Sequence, residues 1–470
     1  METSKNGFFN RPPPVPGGKF DGTPFLHSSG VALSKRAGIL ALLTLALGFR
    51  FYFGLHCPTI QDMGDDVQTY LIGLKCYATH TWPYFGPDVV GTETTFTTQI
   101  PGALEGLLIA LPLEIWPSPE SPYLFLNLMT FLSLSLLAWY VCRRFPGLSP
   151  ALVFAWIYVA PWNLHYSTEV INPSYAVPGS VLFFLGFFES VPALSLGLLS
   201  PRVANALMGF SFFWIMQLHM SWMLFVPFLL LSFFYQWKSA AWKTALGFGA
   251  LGALPMWALM IPTYARYGFR TGGDIQGFTS GLNLHNVISP VTILARLLSF
   301  ASFEMPRFLG LHTADRIAYL FHSPWLLVPG FLLWGAGYLQ AVGLFVLWFR
   351  RDSPRSDWRA LKGLMLFTFL VIYASFWFTV KPPLAHIYYL MFPVVMIYSF
   401  HGWDWVAAKP NGKTLARVFL AIAVFFQVGY ALQNARDRVS TYSQNRGLMV
   451  KAIEARDYRI LAERRPNSLY

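Results

Sequence analysis

IPGALEGLLIALPLEIW, residues 100–116, decides the topology of this 470-residue chain. The segment is apolar, yet it is short, holds Glu105 and Glu114, and is bracketed by Pro101 and Pro117. If it crosses a membrane, the pairs Arg143/Arg144 and Lys238/Lys243 and the cluster RRDSPRSDWR at 350–359 all fall on the side opposite the basic N-terminus. If it does not cross, all of them become cytoplasmic, as the positive-inside bias asks. The segment is therefore expected to lie along, or dip into, the outer face of the membrane as an amphipathic helix.

The composition agrees with a polytopic membrane protein: 55% of residues are hydrophobic and only 12% charged, far from the balance of soluble domains. Apolar runs at 37–55, 121–142, 148–166, 174–193, 203–217, 219–235, 244–263, 324–349, 363–380, 384–400 and 414–432 predict an all-α bundle of about eleven transmembrane helices. The first run is longer than the apolar part of a secretory signal and is expected to stay as a span. This reading makes 1–36 a cytoplasmic tail, 37–432 the transmembrane domain, 56–120 and 264–323 two outer loops, and 433–470 a tail on the outer side. That tail carries eight Lys/Arg against four Asp/Glu, which strains the charge rule. ISPVTILARLLSFASF, in the second loop, has the apolar spacing of another interfacial helix. The net charge of +12 is read as cation retained in cytoplasmic loops, and no nucleic-acid motif competes with that. Three cysteines, Cys57, Cys76 and Cys142, lack metal-site spacing; Cys57 and Cys76 are the pair that an oxidising compartment would join.

Acid is concentrated just after the first span. In GDDVQTYLIGLKCYA (64–78) a helical pattern of Val67, Tyr70, Leu71, Leu74 and Tyr77 or Ala78 follows Asp65 and Asp66 at once. Carboxylates at a helix start are favoured by the dipole and cap free N–H groups, which explains one aspartate and leaves the other. An acid at the membrane face suits general-base work on a hydroxyl, and two adjacent acids also suit a divalent cation, which takes oxygen ligands.

A first span followed by such a helix resembles the GT-C glycosyltransferases that use polyprenyl-phosphate sugars. It is similar to family 39-like bacterial membrane proteins, related to protein O-mannosyltransferases and to the aminoarabinose transferases of lipid A. STEVINPSYAVP (167–178), IPTYARYGFRTGGDIQGF (261–278) and KPPLAHIYYLMFPVV (381–395) are similar to further segments of that branch, in the same order. They differ from it at Ile171, where tryptophan is commoner, at Ala265, where an acid is frequent, and by the insertion of Ile387. The resemblance implies an inverting transfer at the outer face of a bacterial inner membrane, from a polyprenyl-phosphate donor to a lipid, glycan or protein hydroxyl. Asp65 matches the base and Asp66 the acid beside it, commonly glutamate, and most such enzymes need no catalytic metal. The departing phosphate needs cations, for which Arg266, Arg270, Lys381 and His386 fall on the same side as Asp65, with Tyr388 adjoining. Glu169 and Asn172, in a segment too polar for lipid and expected to be irregular around Pro173 and Pro178, are candidates for lining the substrate cavity. His219 and Glu189 are read as structural. A transporter or lipid flippase is the competing class, but it would show duplicated halves and broken midplane helices, and no repeat is found.

Overall fold

The computed structural model describes residues 31–56, 65–90, 97–239, 241–268, 282–299, 305–310, 313–350, 356–379 and 382–462. Its contacts divide the chain into Met1–Ala46 and Leu47–Tyr470. The described part of the first unit is the leading stretch of helix α1 (Val31–His56). All contacts below lie within the second unit.

After α1 come α2 (Asp65–Thr79), an antiparallel hairpin of β1 (Phe85–Val90) and β2 (Thr97–Pro101), and α3 (Leu104–Ile115). The hairpin pairs Asp88 with Gln99 and shifts register between Phe85 and Asp88. Then follow α4 (Ser121–Arg144), α5 (Pro150–Val159), α6 (Pro161–His165), α7 (Asn172–Ser190) and α8 (Pro201–Met216). A 3-10 turn, Met220–Phe225, runs into α9 (Val226–Lys238), followed by α10 (Trp242–Ala258) and α11 (Ile261–Tyr267). The second expected loop holds α12 (Leu284–Val287), α13 (Pro290–Ser299), α14 (Met305–Leu309) and α15 (Thr313–His322). The chain then continues through α16 (Leu327–Phe349), α17 (Trp358–Phe376), α18 (Ala385–Tyr388), α19 (Phe392–Ala407), α20 (Gly412–Asp437), α21 (Val439–Glu454) and α22 (Arg459–Ala462).

Five helical stretches among the described residues are long and apolar enough to cross a membrane, and six if the α10–α11 pair, bent by 61°, is one span. The expectation was about eleven. Several of the other apolar runs fall on broken or shorter helices, and the clearest break has a local cause. Pro161 lacks an N–H and forces Ala160 into extended backbone (φ −52°, ψ 130°), so 148–166 becomes α5 and α6. The core centres on α7, almost wholly buried, whose Phe183, Phe184 and Phe187 interlock with Phe225 and Phe228.

The segment that opened the sequence reading is α3, 12 residues long. At about 1.5 Å per residue it spans about 18 Å, short of the roughly 30 Å hydrocarbon core. It buries Leu104, Leu108, Ile109 and Leu113, and one acid with them. Glu105 is buried, whereas Leu111, Ile115 and Trp116 are exposed, an arrangement suited to contact with lipid. α3 packs on α2 through two glycines: a Cβ on Gly73 would run into Ile109 Cβ, and one on Gly106 would lie 3.1 Å from Ile72 Cγ2. Gly73→Ala is therefore expected to lower stability by about 1–3 kcal/mol through overpacking. Gly363→Ala, in open space within α17, should raise it slightly. Thermal midpoints of the two variants in detergent test the contrast.

Residues 439–462 pack back onto the bundle. Met449, Ala452, Ile453 and Leu461 of α21 and α22 join the buried cluster formed by Val67, Tyr70 and Leu71 of α2 and Leu108 and Ile109 of α3. Arg446 pairs with Glu120, and Arg456 lies 3.6 Å from Glu114. The basic excess of the tail is thus matched to acids of the first loop at the end of the bundle where α4 begins.

Candidate active site

Asp65 and Asp66 are the first two residues of α2, as the sequence predicts. Their side chains, that of His386, and all of Arg270 and Lys381 lie outside the described residues. The described part is the mount that holds the two acids. Val67, Tyr70, Leu71, Leu74 and Tyr77 are buried as the helical pattern requires, and Gln68 and Thr69 are buried with them. The Tyr70 hydroxyl donates to Pro119 O at 3.4 Å. A helix closed in on this many sides has little freedom to shift its first turn. At 15 residues, or about 22 Å, it is also too short to span.

Arg266 reaches the first loop from α11. Its Nη1 donates to Tyr84 Oη at 2.9 Å, and its guanidinium lies 5.0 Å from the Tyr84 ring and 5.6 Å from the Tyr267 ring. The Tyr84 hydrogen bond, followed by the fields of Tyr267 and Tyr84, raises its pKa further above the ordinary arginine value. Thr263 Oγ1 donates to Tyr84 O at 2.7 Å, so α11 is fastened to the chain entering β1. An exposed, fully charged guanidinium is thereby fixed beside the first loop, with donors left for an anion.

Beneath α2 lies a group to which the sequence reading gave no chemical role. Glu105 is fully buried, and the hydroxyl that bears on its carboxyl is that of Thr69. A Cβ on Gly86 of β1 would meet Glu105 Oε2 at 3.3 Å and Gln217 O at 3.4 Å. Gly102, at φ +137°, would set a Cβ 2.7 Å from Gln217 Oε1, itself buried without a partner. Tyr175 adds a buried hydroxyl within electrostatic reach of Glu105 and Tyr70. Burial pushes the Glu105 carboxyl well above the ordinary carboxylate range, and Thr69 opposes this more weakly. The group, on α3, therefore holds its proton more tightly than an ordinary carboxyl, beside Thr69, which is one turn along α2 from Asp65.

A consequence for stability follows by linkage. Above the ordinary value of 4.5 the unfolded chain releases this proton while the native chain keeps it. The native state then binds more protons than the unfolded one, so wild-type stability falls as pH rises, until the native pKa is passed. The slope is at most about 1.4 kcal/mol per pH unit. Glu105→Gln removes this slope, so its thermal midpoint relative to wild type is expected to climb as the pH rises above about 5. Parallel pH trends in the two proteins would contradict the raised Glu105 carboxyl.

Val170, between the candidates Glu169 and Asn172, packs in the same buried cluster as Val67 and Tyr70 of α2. Glu169 is buried and Asn172 partly so. Residues 166–171 form turns, but the expectation of irregular chain through both prolines is corrected: helix α7 starts at Asn172. Pro173 falls in its first turn, where no N–H is required, and Pro178 is accommodated inside the helix. Tyr388 is buried against Trp162 and Phe376. Its neighbour Tyr389 donates to Asn163 Oδ1 at 2.8 Å and contacts the rings of Trp162 and Tyr166. The segments at 163–172 and 385–391 therefore adjoin through aromatic rings. His219 accepts from Ser221 N, and Glu189 accepts from Tyr140 Oη and from backbone N–H groups, both structural roles. Cys76 is a free thiol. Among the described residues no group of three or more His, Cys, Asp or Glu is placed to hold a metal.

No protein-family model and no curated protein sequence matches the chain. Among solved structures it is similar to ArnT from Cupriavidus metallidurans in the apo state, at 14% identity and TM-score 0.47, over 91% of this chain and 77% of that one. The same protein bound to undecaprenyl phosphate matches at 12% identity and TM-score 0.47, with the same coverage. Arabinosyltransferase EmbB from Mycobacterium smegmatis matches at 12% identity and TM-score 0.42, over 96% of this chain and 43% of that one.

Proposed function

We propose that the chain is an inverting membrane glycosyltransferase of the GT-C kind, moving a sugar from a polyprenyl-phosphate donor to a hydroxyl acceptor, with Asp65 as general base. The observation that carries this is the setting of α2, a helix too short to span that opens on Asp65 and is gripped by α3 and the C-terminal helices. In the reaction, Asp65 takes the proton of the acceptor hydroxyl as its oxygen attacks the anomeric carbon. The bond from that carbon to the phosphate oxygen breaks on the opposite face, and the polyprenyl phosphate leaves with the electron pair. Arg266, with Arg270, Lys381 and His386, would meet the growing phosphate charge. Glu169, Asn172 and Tyr388 would line the cavity, with Asp66 assisting Asp65 directly or through a divalent cation. The site would face the periplasm or exterior of a bacterial inner membrane. The acceptor belongs to a lipid, a glycan or a protein.

A transporter is the competing class, and the bent α10–α11 pair is the feature that favours it. That bend leads directly to the Arg266–Tyr84 contact beside the first loop, whereas alternating access is built on breaks at the midplane. The deciding experiment offers radiolabelled polyprenyl-phosphate sugars to membranes with and without the protein and identifies the labelled product. Label on a new hydroxyl, with the anomeric configuration inverted, is expected. Retained configuration, or no product above the membranes lacking the protein, would overturn the reading.

A further inference from the structure

At the opposite end of α4 from the proposed site, the turn Gly147–Ser149 meets α5, α19 and α20 around a cavity of about 240 Å³. Its wall is apolar and aromatic. The Phe419 ring lies 5.1 Å from that of Trp156 and stacks on Trp403 at 5.8 Å, with Leu152 and Leu420 completing the lining. Two cations, Lys413 and Arg417, also line it, four residues apart on the first turns of α20 and so on one face of that helix. Both are exposed, and neither makes a hydrogen bond or ion pair with another described residue. The nearby acid is Asp404, an oxygen of which would lie 2.7 Å from a Cβ on Gly147; it is engaged elsewhere.

The surroundings of the cavity are those of a membrane boundary. Leu415 and Val418 on α20 are exposed apolar residues, as on a face turned to lipid. Arg350 and Lys409 stack over Trp405 at 4.6 and 5.2 Å, the pairing of tryptophan and cation found where bilayers meet water. A pair of cations, unpaired among the described residues, above an aromatic slot is complementary to a molecule with an anionic head and an apolar body.

We propose that this cavity binds an anionic membrane phospholipid, its phosphate held by Lys413 and Arg417 and the start of an acyl chain lying in the Trp156–Trp403–Phe419 slot. Basic pockets between helices at the cytoplasmic end hold anionic headgroups for the same physical reason. The site is separate from the donor-lipid reading at Asp65, because α4, 24 residues long, puts about 36 Å between the two ends.

Native mass spectrometry of the full chain in detergent, titrated with dioleoyl phosphatidylglycerol, dioleoyl phosphatidylcholine or inorganic phosphate, tests it. Wild type is expected to retain phosphatidylglycerol about thirtyfold more tightly than Lys413→Gln/Arg417→Gln, from two lost headgroup contacts. Ala416→Phe, which fills the cavity and keeps both charges, should lose it too. Lys238→Gln/Lys243→Gln, which removes charge elsewhere, should bind as wild type. Equal retention of phosphatidylcholine, displacement by inorganic phosphate alone, undiminished binding in Ala416→Phe, or an equal loss in the Lys238/Lys243 variant would each overturn the proposal.

Discussion

Asp65→Asn is expected to abolish sugar transfer while leaving folding and membrane insertion unchanged. Asparagine has the shape of aspartate and caps a helix start about as well, so α2 keeps its first turn and its packing. What is lost is the ability to take a proton. General-base catalysis contributes about 10²–10⁴-fold, and the variant should fall by that factor in reconstituted vesicles supplied with labelled donor. Asp65→Glu keeps the base but moves it by more than an ångström, a displacement that costs about 10²-fold when geometry is otherwise fixed. Asp66→Asn should be milder than either. Full activity in Asp65→Asn, with an unchanged thermal midpoint, would sink the general-base role.

How far these features were legible in the sequence depended on whether their cause was local. The α2 pattern was readable because burial on one face of a short helix repeats at helical spacing, and each of Val67, Tyr70, Leu71, Leu74 and Tyr77 is buried. The shortness of α3 was readable from its flanking prolines and charges. The hairpin was missed. Gly86 and Pro87 interrupt β1, and neither strand alternates apolar and polar residues, so only the β-branched run before Gln99 hinted at it. The docking of α21 was missed because the helix is polar overall, although Met449, Ala452 and Ile453 have the spacing of a buried stripe. Glu105 was visible as an acid in an apolar run, but its burial is made jointly by β1, Gln217 and α2, elements that meet only in the folded chain. Arg50 carried a clearer signal: a single arginine deep in an apolar span is costly unless it is held.

Arg50→Ala is the stability change expected to cost most, about 3–5 kcal/mol, and the reason begins at Pro161. A proline there leaves Ile157 O without its helical donor, and the extended Ala160 takes the chain away from Tyr158 O as well. Two side chains replace the lost bonds. Asn163 Nδ2 donates to Ile157 O at 2.9 Å, and Arg50 Nη1 donates to Tyr158 O at 3.1 Å. Arg50 Nη2 also donates to Ser167 Oγ at 2.6 Å, tying α1 to the turn that carries Glu169. Removing a charge from the interior recovers part of its desolvation cost, which favours the variant. Against that stand a buried carbonyl and hydroxyl left without their donor and the cavity of a large, fully buried side chain, and together these outweigh the gain. Arg50→Lys keeps the charge but not the fork, and should fall between the two. Unfolding midpoints in detergent, set beside donor KM in the same preparations, separate the effects: Arg50→Ala should lower the midpoint, and the loosened 163–172 turn should raise KM. A midpoint within about 0.5 kcal/mol of wild type would show that Pro161 is accommodated without Arg50.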